Sequence, residues 1–137
     1  MKIINKIIGL VLIVSCSKNE SNEVNYLYGK WKLEAQFKED GTNKNIDECS
    51  KKTNVTFNEN NTFLHVGYSV KNGICISDNN SNIISFNISG DRMLFNDKQL
   101  KLNFINENKM ETIEVLDERN GQSGEWFTNK DVWIRVK

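Results

Sequence analysis

Gly29-Lys30-Trp31-Lys32-Leu33-Glu34-Ala35-Gln36-Phe37 decides the fold. Trp31, Leu33, Ala35 and Phe37 alternate with Lys30, Lys32, Glu34 and Gln36. A period of two predicts a strand with one buried face and one solvated face. Shorter runs of the same kind follow. Val55 and Phe57 alternate with polar residues, and Thr62 to Val70 carries Leu64, Val66, Tyr68 and Val70 on one face, with Phe63, His65 and Gly67 on the other. Ile84, Phe86 and Ile88 form another run, as do Leu100, Leu102 and Phe104. Ile113 and Val115 share a face of the stretch from Met110 to Leu116, and Glu125 to Thr128 and Val132 to Val136 close the chain.

Between these runs lie turn signals: Glu59-Asn60-Asn61, Asn72-Gly73, Gly90-Asp91, Asn96-Asp97 and Asn106-Glu107-Asn108, with polar loops at 78–82 and 117–124. Only residues 43–52 are candidates for a short helix, and they lack a sustained apolar stripe. The pattern predicts an all-β domain of roughly eight to ten short antiparallel strands. Such strands close into a barrel or a sandwich to hide their edges.

The chain of 137 residues has room for one domain. Lys+Arg and Asp+Glu balance at 18 each. Removing the first 15 residues takes away Lys2 and Lys6, leaving 16 cations against 18 acids. That balance gives no basis for a nucleic-acid partner.

Lys2 and Lys6 precede an apolar run, Ile7 to Val14. As a helix it spans about 12 Å, far short of a hydrocarbon core of about 30 Å. It reads as a leader at 1–15, not a membrane span. Ile13-Val14-Ser15-Cys16 resembles the bacterial lipobox. That resemblance implies cleavage before Cys16 and acylation of its thiol, so that the membrane is a partner through a lipid anchor. Ser17 in place of Asp implies an outer-membrane destination, on the periplasmic face or the cell surface. Residues 16–25 are polar apart from Val24 and read as a tether, leaving 26–137 as the folded domain.

Gly29-x-Trp31, the order of the strands after it, and Arg135 near the end of the last strand resemble the small lipocalin-like lipoproteins of the Bacteroidetes type. The resemblance covers roughly residues 28–137 and implies a small antiparallel up-and-down β-barrel. It also implies that Arg135 packs over Trp31 and closes the barrel floor. The long helix of larger lipocalins is missing.

With Cys16 acylated, Cys49 and Cys75 remain, and an even pair in an exported domain reads as a disulfide. A metal or redox pair is the alternative, but there is no Cys-x-x-Cys and His65 is the sole histidine. No metal site and no cofactor motif is predicted. His-Glu-x-x-His, P-loop, Gly-x-Ser-x-Gly and Gly-x-Gly-x-x-Gly motifs are all missing, so the chain does not read as an enzyme. Gly121 to Gly124 is read as a hairpin loop or a lid, and Trp126 and Phe127 as core or as the rim of a barrel mouth.

Two functions remain. In one, the barrel binds a small apolar ligand in a lumen lined by Leu33, Phe57, Phe63, His65, Phe86, Leu102 and Phe104. In the other, such large residues fill the barrel, and its loops act on an envelope protein partner, including as an inhibitor. Open space inside the barrel distinguishes them.

Overall fold

The computed structural model describes residues 25–78 and 82–137. The expected leader, residues 16–24 of the expected tether with Cys16, and residues 79–81 lie outside the described residues. A helical turn at 25–27 leads into β1 (Gly29–Phe37), β2 (Asn54–Asn58) and β3 (Thr62–Val66). A ribbon of β4 (Tyr68–Lys71) and β5 (Ile74–Ser77) comes next, then β6 (Ile83–Ser85) and β7 (Asn87–Ser89). The chain ends with β8 (Arg92–Phe95), β9 (Lys98–Asn106), β10 (Lys109–Arg119) and β11 (Gln122–Arg135). The helix candidate at 43–52 contracts to one 3-10 turn, Ser50–Lys52.

A nine-stranded sheet runs β6-β3-β2-β1-β11-β10-β9-β8-β7, with every pairing antiparallel. Its two edges, β6 and β7, are halves of a single segment interrupted at Phe86. Ile84 pairs with Phe63 on β3, and Ile88 pairs with Met93 on β8. At the interruption, the Phe86 N–H donates to the Asn61 carbonyl at 2.9 Å. The sheet therefore closes on itself as an up-and-down barrel of eight staves, since the nine strands include two that share one stave. Closure hides the backbone groups that an open edge would expose.

Local chemistry explains the turns. Asn72-Gly73, Asn96-Asp97 and Asn120-Gly121 all have positive φ at both residues and join strands in direct register. These are tight two-residue turns whose twist matches that of the strands they join. The third of them corrects the expected loop at 117–124. The strands run on through Arg119 and resume at Gln122, because Asn120-Gly121 needs no longer connection. The run from Thr62 to Val70 is likewise not one strand. At Gly67 the chain leaves the barrel: its carbonyl accepts from the Asp78 N–H at 2.8 Å, and the Tyr68 N–H donates to Thr53 Oγ1 at 3.1 Å.

Two inner faces also differ from simple alternation. In β1 the register against β11 slips between Leu33 and Ala35. A bulge adds one residue and reverses the faces beyond it. Gln36 consequently turns into the barrel, while Phe37 lies under the Lys130 ammonium, 4.9 Å from its ring centroid. On β10 the inward row is Met110, Thr112 and Glu114, and alternation places Ile113 outside.

The core is built on Trp31, Leu27, Met93 and Met110, all essentially without solvent contact. Phe57, Phe63 and Phe86 form a ring cluster with centroids 5.8–6.2 Å apart. Outside the barrel, the expected disulfide joins Cys49 to Cys75, with Cα atoms 5.5 Å apart. It fastens the β4–β5 ribbon to the segment that precedes β2.

Candidate functional site

The two ends of the barrel differ. At one end, Gly29 adopts φ +119°, and a Cβ there would stand 2.8 Å from Arg135 Nη1. Glycine allows Arg135 to lie over Trp31, its guanidinium carbon 4.3 Å from the ring centroid. The guanidinium donates to the Tyr28 carbonyl at 2.8 Å, the Glu107 carbonyl at 2.7 Å and the Tyr26 carbonyl. Below it, Trp31 Nε1 donates to the Leu27 carbonyl at 2.8 Å. Backbone carbonyls that the strand ends would leave open are thus satisfied by two side chains, and this end is sealed.

Toward the other end, the interior opens into a cavity of about 430 Å³. Its deep wall is apolar: Val55, Phe57, Phe63, Met93, Leu100 and Trp133. Register places this wall. Met93 faces Leu100, Val55 faces His65, and Trp133 lies one inward step beyond Arg135 on β11. Polar groups stand nearer the mouth: Gln36, His65, Lys98, Glu114, Asn129 and Asp131, with Lys44 at the rim. His65 and both lysines keep broad contact with solvent, so the cavity communicates with the outside.

The polar groups are organised around Asp131. Gln36 Nε2 donates to its Oδ1 at 2.9 Å. Burial pushes the Asp131 carboxyl up from its ordinary value, against the opposing effects of the Gln36 hydrogen bond, Lys44 and His65. His65 stands edge-on to Trp133, with centroids 6.5 Å apart and planes at 84°. Its partial burial pulls the imidazole below its ordinary value, with Asp131 and Asp78 opposing. From the neighbouring strand β11, Thr128 Oγ1 donates to Glu114 Oε2 at 3.1 Å.

The predicted lumen residues divide by depth. Phe57, Phe63 and His65 line the cavity. Leu33, Phe86 and Leu102 do not: they are buried in the packed core. Phe104 packs against that core near the sealed end, edge-on to Tyr26 with centroids 6.3 Å apart. Alternation tells which side chains point inward, but not how far along the barrel axis they sit. Trp126 and Phe127 are not lining residues either. Phe127 is exposed on the outer surface, with Lys101 Nζ 5.6 Å from its centroid. Among the described residues, no three His, Cys, Asp or Glu side chains gather as a metal site would require.

Gln36, Asn129, Asp131 and Trp133 were not singled out by the sequence reading. A signal for three of them was present. Counting back in twos from Arg135 puts Trp133, Asp131 and Asn129 on the inner face.

A family model of the lipocalin-like domain matches residues 27–119, well over half of the chain. The chain belongs to the lipocalin-like domain family. No curated protein matches it. Among solved structures, this lipocalin-like domain is similar to a redesigned β-barrel, with a TM-score of 0.45 and 11% identity over 82% of this chain and 94% of that one. It is also similar to a deswapped triple mutant of bovine odorant binding protein, with a TM-score of 0.45 and 12% identity over 81% and 74%. In the lipocalin-like domain described here, the sealed end and the open end share one wall, so the site is a cup with a fixed base.

Proposed function

We propose that this lipocalin-like domain takes a small hydrophobic ligand into the open half of its barrel. Lipocalin-like barrels commonly bind such ligands, and the family is one of binding proteins. The observation that carries the reading is the cavity of about 430 Å³, with its apolar deep wall and its polar mouth. Small-molecule sites are typically concave, of roughly 300–1,000 Å³, and largely apolar with a few fixed polar groups. The test uses the full chain carrying Cys16→Ala, free of detergent, titrated with the neutral fluorescent reporter N-phenyl-1-naphthylamine. Saturable binding at one site per chain is expected, and a linear, unsaturable signal would contradict the reading.

We further propose that the chain is a lipoprotein held at the bacterial outer membrane through acylated Cys16. The support is the basic, short apolar leader followed by Ile13-Val14-Ser15-Cys16. Two or more acyl chains anchor stably where one does not. Expressed in a bacterial host that processes lipoproteins, Cys16→Ala is expected to leave the membrane fraction for the soluble fraction. Unchanged sedimentation with membranes would rule out the anchor.

A further inference from the structure

We propose that the ligand carries a cationic nitrogen, an amine on an apolar body, and that Asp131 and Glu114 receive it at the mouth of the lumen. This inference rests on the ligand-binding reading and names the chemistry of that same site.

The cavity is lined by two acids and two lysines, and they are placed differently. Asp131 and Glu114 are partly buried on the barrel wall, whereas Lys44 and Lys98 are exposed at the rim. Among the described residues, neither carboxylate has an ion-pair partner within 4.0 Å, although the outer surface pairs many of its charges. Both are instead held in place by neutral donors, Asp131 by Gln36 and Glu114 by Thr128. Burying a carboxylate without a counter-charge is costly. The upward displacement of the Asp131 carboxyl reflects that cost.

An incoming ammonium supplies the missing charge, and the charged groups that receive it are short side chains already fixed on strands. An incoming carboxylate has no such seat. It would rely on two exposed lysines with long flexible stems and strongly hydrated heads, and it would face both acids. Partial burial disfavours the charged form of His65, so the ring is a poor counter-charge for an anion. The apolar body then lies inward on Trp133, Met93, Phe63 and Leu100.

The experiment displaces N-phenyl-1-naphthylamine from the full chain carrying Cys16→Ala at pH 7, using decylamine, decanol and decanoate as competitors. These share one apolar body and differ in the head. Decylamine is expected to displace the reporter at least about tenfold more effectively than decanol or decanoate, the scale of one charge-assisted hydrogen bond. In Asp131→Asn/Glu114→Gln, the advantage of decylamine over decanol, measured on that same variant, should disappear. If the reporter binds but decanoate competes as well as decylamine, the cationic head is refuted while the ligand-binding reading stands. If an amine preference survives in the double variant, the assignment to these two acids is refuted. Failure of the reporter and of all three competitors to bind would overturn the ligand-binding reading and this inference with it.

Discussion

Trp31→Ala lowers the stability of the domain by about 3–5 kcal/mol, the range for removing a large aromatic side chain from a core. Trp31 has 0% exposure, packs between the barrel interior and the Arg135 guanidinium, and donates its indole N–H to the Leu27 carbonyl. The substitution empties the sealed end, leaves that carbonyl unpaired and removes the face on which Arg135 rests. Urea unfolding reads the loss directly, and the melting temperature should fall by about 10 °C or more. Trp126→Ala is the internal comparison. Trp126 lies on β11 opposite Leu116, is only half-buried and is not part of the buried core cluster, so its loss should cost far less. Equal effects of the two substitutions would deny Trp31 its place at the centre of the fold.

The second large effect comes from the cysteines. Cys49 and Cys75 are 26 residues apart, and a cross-link over that length stabilises by about 3–4 kcal/mol in the chain-entropy description. Cys49→Ser/Cys75→Ser should therefore shift the urea midpoint downward by a large fraction of the domain's total stability. Part of that loss is local. The β4–β5 ribbon pairs only with itself, and the disulfide is its covalent tie to the segment before β2. The ribbon carries Val70, Ile74 and Ile76 in exposed positions, so little burial of its own holds it in place. Hydrogen exchange at 68–77 should accelerate in the double variant more than exchange in β1 and β11. A midpoint equal to that of the parent under non-reducing conditions would contradict the cross-link.

Much of the architecture was legible because it rests on period-two alternation and on turn chemistry. The strand at Gly29–Phe37 and the Asn72-Gly73 and Asn96-Asp97 turns follow from local patterns, whereas the up-and-down order was implied only by the family resemblance. What escaped has a physical cause in each case. The bulge after Leu33 is set by pairing with Trp133 and Val132, far along the chain, and no local pattern announces it. Its consequence is functional, since it turns Gln36 inward to meet Asp131. On β10, the shared face of Ile113 and Val115 gave no sign that the opposite row, with Thr112 and Glu114, is the one toward the cavity. A barrel that keeps polar groups inside its mouth weakens the inference from apolarity to an inward position. Depth was equally hidden. Leu33, Phe86 and Leu102 point inward as expected for strand residues of their parity, but they sit in the packed core rather than on the cavity wall. The need for Gly29 becomes clear only once Arg135 is seen against it.

The central claim is that the open half of the barrel, and not a surface patch, receives an apolar ligand. The most direct test is the affinity for N-phenyl-1-naphthylamine of the Cys16→Ala chain with and without Leu100→Trp. Leu100 lines the cavity and is only partly buried, so a larger side chain there grows into empty space. The expected result is a cooperative unfolding transition retained in the variant, with reporter affinity reduced by about tenfold or more through lost apolar contact. Reporter affinity unchanged by Leu100→Trp would place the ligand outside the barrel and contradict the account.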